Sequence, residues 1–352
     1  MPEHDDVGGR RGWFLQTRVG ADGQLPPAQL LNASRQHRLF VLRHRTLMEA
    51  PGAPGTVNWT PLGPSAILNG QASGAPMVSG RVTALAVGPG SQRVYLGSAN
   101  GGLWFSADYG ESWTALDEFA VSPDRIPHLE ADSLSVGALA VRFDATNTAN
   151  DVLFVGTGEP GGGMNTYFGV GIKHSDNGGN SWLPLEATNL ARLGVGIYKI
   201  VIDPVAGPPP RLLVFAATSA GLYQRPSAAP FSDWTRVDSS NFTHNDGAAT
   251  DLIVVRTASA KKYYVAFDSD KVYESSNEGA TWSAVAGFTP GGRVALTAGE
   301  NDPSIVYALS YAQVKDANGN LTYCDPKLMR RDGTGGFRPV TGVPPDLFGE
   351  LQ

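Results

Sequence analysis

The sequence predicts an all-β fold, a β-propeller built of four-stranded blades. Three observations predict it. An eight-residue motif recurs three times, short Val-, Ile- and Tyr-rich segments come in groups of four between turn residues, and the composition is rich in turn formers. The motif copies are SADYGESW at Ser106–Trp113, SDNGGNSW at Ser175–Trp182 and SSNEGATW at Ser275–Trp282. They share one template: Ser, any, Asp or Asn, any, Gly, any, Ser or Thr, Trp. Two degraded copies fill the gaps. One ends at Trp234; the other keeps Asp332 and Gly335 and puts Phe337 in the Trp place. The five aromatic positions are 69, 52, 48 and 55 residues apart, near the length of a blade plus insertions.

Residues 1–56 read as an N-terminal extension. Pro26 and Pro27 precede Ala28–Glu49, a stretch of helix formers with Leu30, Leu31, Leu39, Leu42 and Leu47 among its apolar positions. A helix is predicted over 28–49. Its Arg35, His37, Arg38, Arg43, His44 and Arg45 make either a solvated face or a dock for an acidic partner. EAPGAPGT then reads as a linker. Strand 57–63, with Trp59 in the motif's Trp place, reads as an outer strand standing before the first full unit.

Five full units follow, at about 78–117, 134–186, 195–238, 249–287 and 291–341. Each offers four short strands; the first has RVTALAVGP, RVYLGSAN, GLWFSAD and SWTAL. Such runs, split by Gly, Pro, Asn and Asp, are strand signals. Residues 344–352 read as the start of a further unit. The chain is therefore either the N-terminal part of a larger propeller, the favoured reading, or a five- or six-bladed ring closed by the Trp59 strand. A fragment would leave open sheet edges, which predicts self-association.

The motif has a structural logic. Asp or Asn bonds the backbone two residues on, Gly supplies a positive φ, and the hydroxyl satisfies a turn amide. Trp buries a large flat surface between neighbouring blades. Ser106, Asp108, Gly110 and Trp113, then Ser175, Asn177, Gly179 and Trp182, then Ser275, Asn277, Gly279 and Trp282 are accordingly structural.

Composition bounds the function. The 352 residues include 43 Gly and 25 Pro but only 17% charged residues, which argues against a helical bundle or a coiled coil. A net charge of -6 gives nucleic-acid binding no electrostatic support. A single cysteine, Cys324, excludes an intrachain disulfide framework and a multi-thiolate zinc site. No apolar run is long enough for a transmembrane helix, and MPEHDDVGGRRGW is not a Sec signal peptide. No cofactor is expected. Calcium has only the KDANGN string behind it, without the Glu that such a loop requires. The NWT, NFT and NLT sequons matter only in a eukaryotic secretory path.

GRVTALAV, YLGSANGGLWFSADYGESW and VGTGEPGGGMNTYFGVGIKHSDNGGNSW resemble bacterial BNR/Asp-box repeat proteins of the sialidase-like and sortilin-like propeller superfamily. The resemblance covers nearly the whole chain. It implies a propeller fold and a secreted or cell-surface location. It leaves function open, because the superfamily holds sialidases, xyloglucanases, photosystem assembly factors and sorting receptors. The sialidase pattern is not met. DRIP at Asp124–Pro127 follows the first motif copy instead of preceding it, and its aromatic is replaced by Asp124. Arg81 and Arg293 each open an inner strand, but only Arg192 offers itself as a third arginine.

An ordinary glycosidase needs two carboxylates facing across a groove. The loops joining second to third strands nominate Glu159, Asp268 and Asp270. Against this, Glu159 reads equally as a turn carboxylate, and the two aspartates as a strand-end turn. The Gly-rich loop Thr157–Gly171 carries Tyr167 and Phe168, which could stack on a sugar. A second long loop is expected over Ser310–Lys327. The favoured reading is a non-catalytic module that presents loops to a glycan or protein partner. The alternative is a glycoside hydrolase, sialidase- or xyloglucanase-like, with its site at the channel mouth.

Overall fold

The computed structural model describes residues 80–90, 92–116, 133–160, 169–183, 186, 190, 195–206, 211–225, 234–244, 247–258, 260–299, 302–315 and 321–342, without the side chains of 311–325. The expected helix 28–49, strand 57–63, DRIP, Tyr167, Phe168, Arg192 and the residues from 344 on lie outside this set. The fold is an all-β, blade-repeat propeller fold. Among the described residues, four sheets have four strands each, taken in sequence order, and one has three. The chain divides into two compact units, Met1–Leu139 with Phe143–Gly194, and Ala140–Arg142 with Val195–Gln352.

The first unit holds two blades. β1 (Val82–Val87), β2 (Val94–Ser98), β3 (Leu103–Ser106) and β4 (Thr114–Ala115) pair as successive antiparallel neighbours. The next sheet runs β5 (Val136–Arg142), β6 (Val152–Thr157) and β7 (Ile172–Ser175), and a bridge from Ile172 to Glu186 stands in the fourth-strand place. The second unit holds three more: β8 (Ile197–Val205) to β11 (Thr235–Arg236), β12 (Ala249–Arg256) to β15 (Ser283–Ala284), and β16 (Val294–Ala298) to β19 (Arg338–Pro339). Between them lie β9 (Arg211–Thr218), β10 (Gly221–Gln224), β13 (Lys261–Phe267), β14 (Val272–Ser275), β17 (Ile305–Lys315) and β18 (Leu321–Asp332).

The second strands β6 and β9 read as continuous apolar runs because both their faces are buried. All six residues of β6 are buried, and so are the last six of β9. Outermost strands are two residues long wherever one forms in the described set, a length that blunts edge pairing. Two apolar clusters hold the second unit. One joins Leu213, Phe215 and Leu222 to Leu252, Tyr263, Tyr273 and Trp282. The other joins Tyr264, Ala266 and Val272 to Val294, Leu296, Val306 and Phe337.

All three full motif copies form one hydrogen-bond network. The first Ser hydroxyl donates to the Asp or Asn carbonyl-type oxygen two residues on, at 2.7, 2.9 and 3.0 Å. It accepts from the Gly amide at 2.8, 2.9 and 3.0 Å. The same Asp or Asn oxygen accepts the amide of Ser112, Ser181 or Thr281, each at 2.9 Å. Two consecutive residues take positive φ in every copy: Tyr109 and Gly110, Gly178 and Gly179, Glu278 and Gly279. At Asp108 these bonds from Ser112 and Ser106 hold the carboxyl down at about 2.

The second and third copies each lean on an earlier blade. A Cβ on Gly179 would stand 2.7 Å from Leu116, and one on Gly279 would stand 2.5 Å from Phe215. Trp182 and Trp282 are buried, as are Trp234 and Phe337 in the degraded copies. Trp113 departs from the expected role, with 36% of its surface exposed. It belongs to the first described blade, so no described sheet precedes it.

One expected loop is a ribbon instead. The sequence predicts a long loop over Ser310–Lys327, around KDANGN. The backbone pairs β17 with β18 from Ile305–Asp332 out to Lys315–Leu321. Residues 316–320 lie outside the described set.

Candidate functional site

The sites of interest lie where innermost strands begin and second strands end. In the first unit Arg81 immediately precedes β1, and its carbonyl accepts the amide of Ala99. Glu159 follows β6, after Gly158, whose amide bonds the Ser135 carbonyl. This placement brings Arg81 Nη2 to 2.6 Å from Glu159 Oε2. The guanidinium is half-exposed while the carboxylate is nearly buried. The pair can offer a ligand the remaining guanidinium N–H groups and the second carboxylate oxygen. Thr157 clamps the base of the adjoining loop: its hydroxyl accepts from the amides of Val170 and Gly171 at 2.7 and 3.1 Å. Gly169 passes so close that a Cβ there would meet the Thr157 carbonyl oxygen at 2.1 Å.

In the second unit Arg293 precedes β16, with its guanidinium 4.9 Å from the centre of the Tyr198 ring on β8, a cation–π contact. The turn Asp268–Lys271 lies beside it, since the Ser269 amide donates to the Gly292 carbonyl. Asp268 and Asp270 share this turn but differ in environment. Asp270 is buried and accepts the Tyr273 hydroxyl at 2.7 Å, and that hydroxyl also accepts the Thr243 amide. Asp268 is exposed and accepts the neighbouring Ser269 hydroxyl at 2.7 Å. Ser269 holds φ of 52° to make the turn.

Sequence reasoning missed Asp251. It sits on β12 just past a bulge, where Thr250 is the extra residue between Ala249 and Asp251. One carboxylate oxygen accepts the Leu252 amide at 2.8 Å and the other the Leu296 amide at 2.7 Å. Burial pushes the carboxyl above its ordinary value, against the amide bonds and the Lys199 and Arg293 charges that pull it down. The signal in the sequence was a lone acid entering an apolar strand, TDLIVV.

The inner strands also show where a structural rule lapses. Thr83 and Thr250 occupy equivalent bulges, and each hydroxyl donates to the carbonyl of the next inner strand, Val136 at 2.6 Å or Val294 at 3.1 Å. The β8 bulge places Tyr198 there instead. Of the sequons, NFT is already in use. Asn241 donates its amide to the Trp282 carbonyl at 2.6 Å, and Thr243 bonds Tyr273. No group of three or more His, Cys, Asp or Glu among the described residues could hold a metal ion, and no described helix is long and apolar enough to cross a membrane.

No family model matches the chain, and no curated protein matches it. Similar solved structures include the GH74 xyloglucanase from Xanthomonas campestris, 20% identical, with a TM-score of 0.49 over 75% of this chain. A GH74 enzyme from Niastella koreensis is 17% identical, with a TM-score of 0.46 over 73% of this chain. The chain spans 38% of the length of either enzyme. YCF48 bound to D1 peptide is 12% identical, with a TM-score of 0.42 over 76% of this chain and 69% of its own.

Proposed function

We propose that the chain is a non-catalytic propeller module of the BNR/Asp-box type, which uses the loops at the inner-strand openings to bind a glycan or protein partner. One observation carries this reading. Two of the three carboxylates nominated for catalysis are occupied by structural work: Glu159 is ion-paired to Arg81, and Asp270 holds the Tyr273 hydroxyl. What remains open to solvent among the described residues is polar recognition chemistry. Arg81, Asp268 and Arg293 are exposed donors and acceptors, and the Thr157–Gly171 loop carries Tyr167 and Phe168. The three motif networks support the Asp-box assignment.

The test is binding of the full chain to an array of acidic and neutral glycans, repeated with Arg81→Ala and Arg293→Ala. Loss of a charge-assisted hydrogen bond is worth about 1.5–3 kcal/mol, so affinity for a bound glycan falls at least tenfold in one of the variants. Binding that neither variant changes would sink the assigned surface. A second reading rests on Asp251. A glycosidase acid needs a carboxyl raised above its ordinary value, and burial leaves Asp251 raised against the amide bonds and charges that pull it down. Turnover abolished by Asp251→Asn, with binding retained, would establish that reading instead.

A further inference from the structure

We propose that the exposed face of the first described blade is an interblade surface that takes the outward face of the last described blade of a second copy, joining chains head to tail. The antiparallel registers make the blades comparable position by position. Leu85 stands opposite Leu96 on β2, as Leu252 stands opposite Val265 on β13. Leu252 is fully buried against the preceding sheet, where it joins Phe215, Tyr263 and Trp282 in one cluster. Leu85 is 56% exposed and Val87, two residues on along the same face, 49%. Trp282 is 1% exposed, and Trp113, its equivalent in the motif, 36%. The first blade thus carries the apolar half of a junction that is closed elsewhere in the chain.

The complementary half is also open. The opposite face of each blade centres on an aromatic of the second strand. Tyr95 and Tyr264 hold equivalent places, opposite Ala86 and Ile253, and both are buried by the following sheet. Tyr307 holds that place on β17, opposite Thr297. It is only partly buried, as are Ile305 and Leu309 on the same face, and Thr297 is exposed. One chain therefore presents a donor and an acceptor half of the same interface on different sheets. Such a pair cannot close on itself in a two-fold dimer, so it builds head-to-tail chains.

Sedimentation and light scattering test this on the full chain. The expected result is a mass that rises with concentration past the dimer. Leu85→Arg and Thr297→Arg change exposed positions on the two faces, so both variants keep the wild-type melting temperature. Each alone runs as a monomer. Mixed one to one, they form a dimer and stop there, because one intact face of each kind remains. A wild-type monomer at all concentrations, or a mixture that stays monomeric, overturns the proposal. So does either variant assembling like wild type.

Discussion

At the residue scale, the motif glycine decides whether a blade can seat on its neighbour. Gly279 has φ of 81°, and an added Cβ would lie 2.5 Å from the Phe215 ring. A left-handed non-glycine residue costs about 1–2 kcal/mol and overpacking a core adds about 1–3. Gly279→Ala is therefore expected to destabilise by about 2–5 kcal/mol, read from a urea melt; a loss under about 0.5 kcal/mol would contradict the contact. The tryptophans give a paired test. Trp282→Ala is expected to cost about 3–5 kcal/mol, whereas Trp113→Ala, a third exposed, costs roughly 1. Equal costs would mean that Trp113 is as well covered as its counterpart. The motif was legible as a turn from residue types alone. The exposure of Trp113 was not, because it depends on what stands against the blade.

At the element scale, the fifth sheet shows how a degraded repeat is held. Arg331 takes the place of the motif's first Ser, and its Nε donates to the Gly335 carbonyl. Its Nη1 and Nη2 donate to the two Glu274 oxygens at 2.9 and 3.0 Å, and Nη1 also reaches the Tyr264 hydroxyl. Burial pushes that hydroxyl up to about 12. One buried guanidinium thus replaces a local hydroxyl with a tie to the fourth sheet. Removing one partner of a buried ion pair costs about 3 kcal/mol or more, and Arg331→Met is expected to lose about that much in a denaturant melt. A neutral result would show that the tie is dispensable. The sequence marked this copy as degraded through Phe337 but gave no hint of Arg331, since its partners lie 57 and 67 residues away. The length of the β17–β18 pairing was hidden for a different reason. Asp316, Asn318, Gly319 and Asn320 read as part of a loop, and only register across two strands distinguishes a ribbon from one.

At the scale of the whole molecule, acid stability follows from its carboxylates. Burial works to raise Asp203 and Glu274, but it is outweighed at Asp203 by hydrogen bonds from Lys261, Tyr263 and Arg256 and at Glu274 by those from Arg331 and Lys262, and both end below their ordinary values. Hydrogen bonds also depress Asp108 and Asp332. A depressed carboxyl contributes its stability fully above its unfolded pKa of about 4 and loses it as pH falls through the folded value. The melting temperature is expected to drop steeply from pH 4 to pH 2. Asp251 has the opposite sign: its contribution is present at low pH and is lost as pH rises through its raised folded value. A melting temperature that holds down to pH 2 would contradict this account. The propeller class was legible because repetition multiplies a weak local signal. Function was not, because Arg81 meets Glu159 across 78 residues and Asp251 gains its character only by burial between strands.

The most direct test of the binding reading is hydrolysis measured on the same sugars that the chain binds, with reducing ends counted for wild type and Asp251→Asn. Binding without release of reducing ends, unchanged by the substitution, is the predicted result. Turnover by wild type that vanishes in Asp251→Asn would contradict it and make the molecule an enzyme.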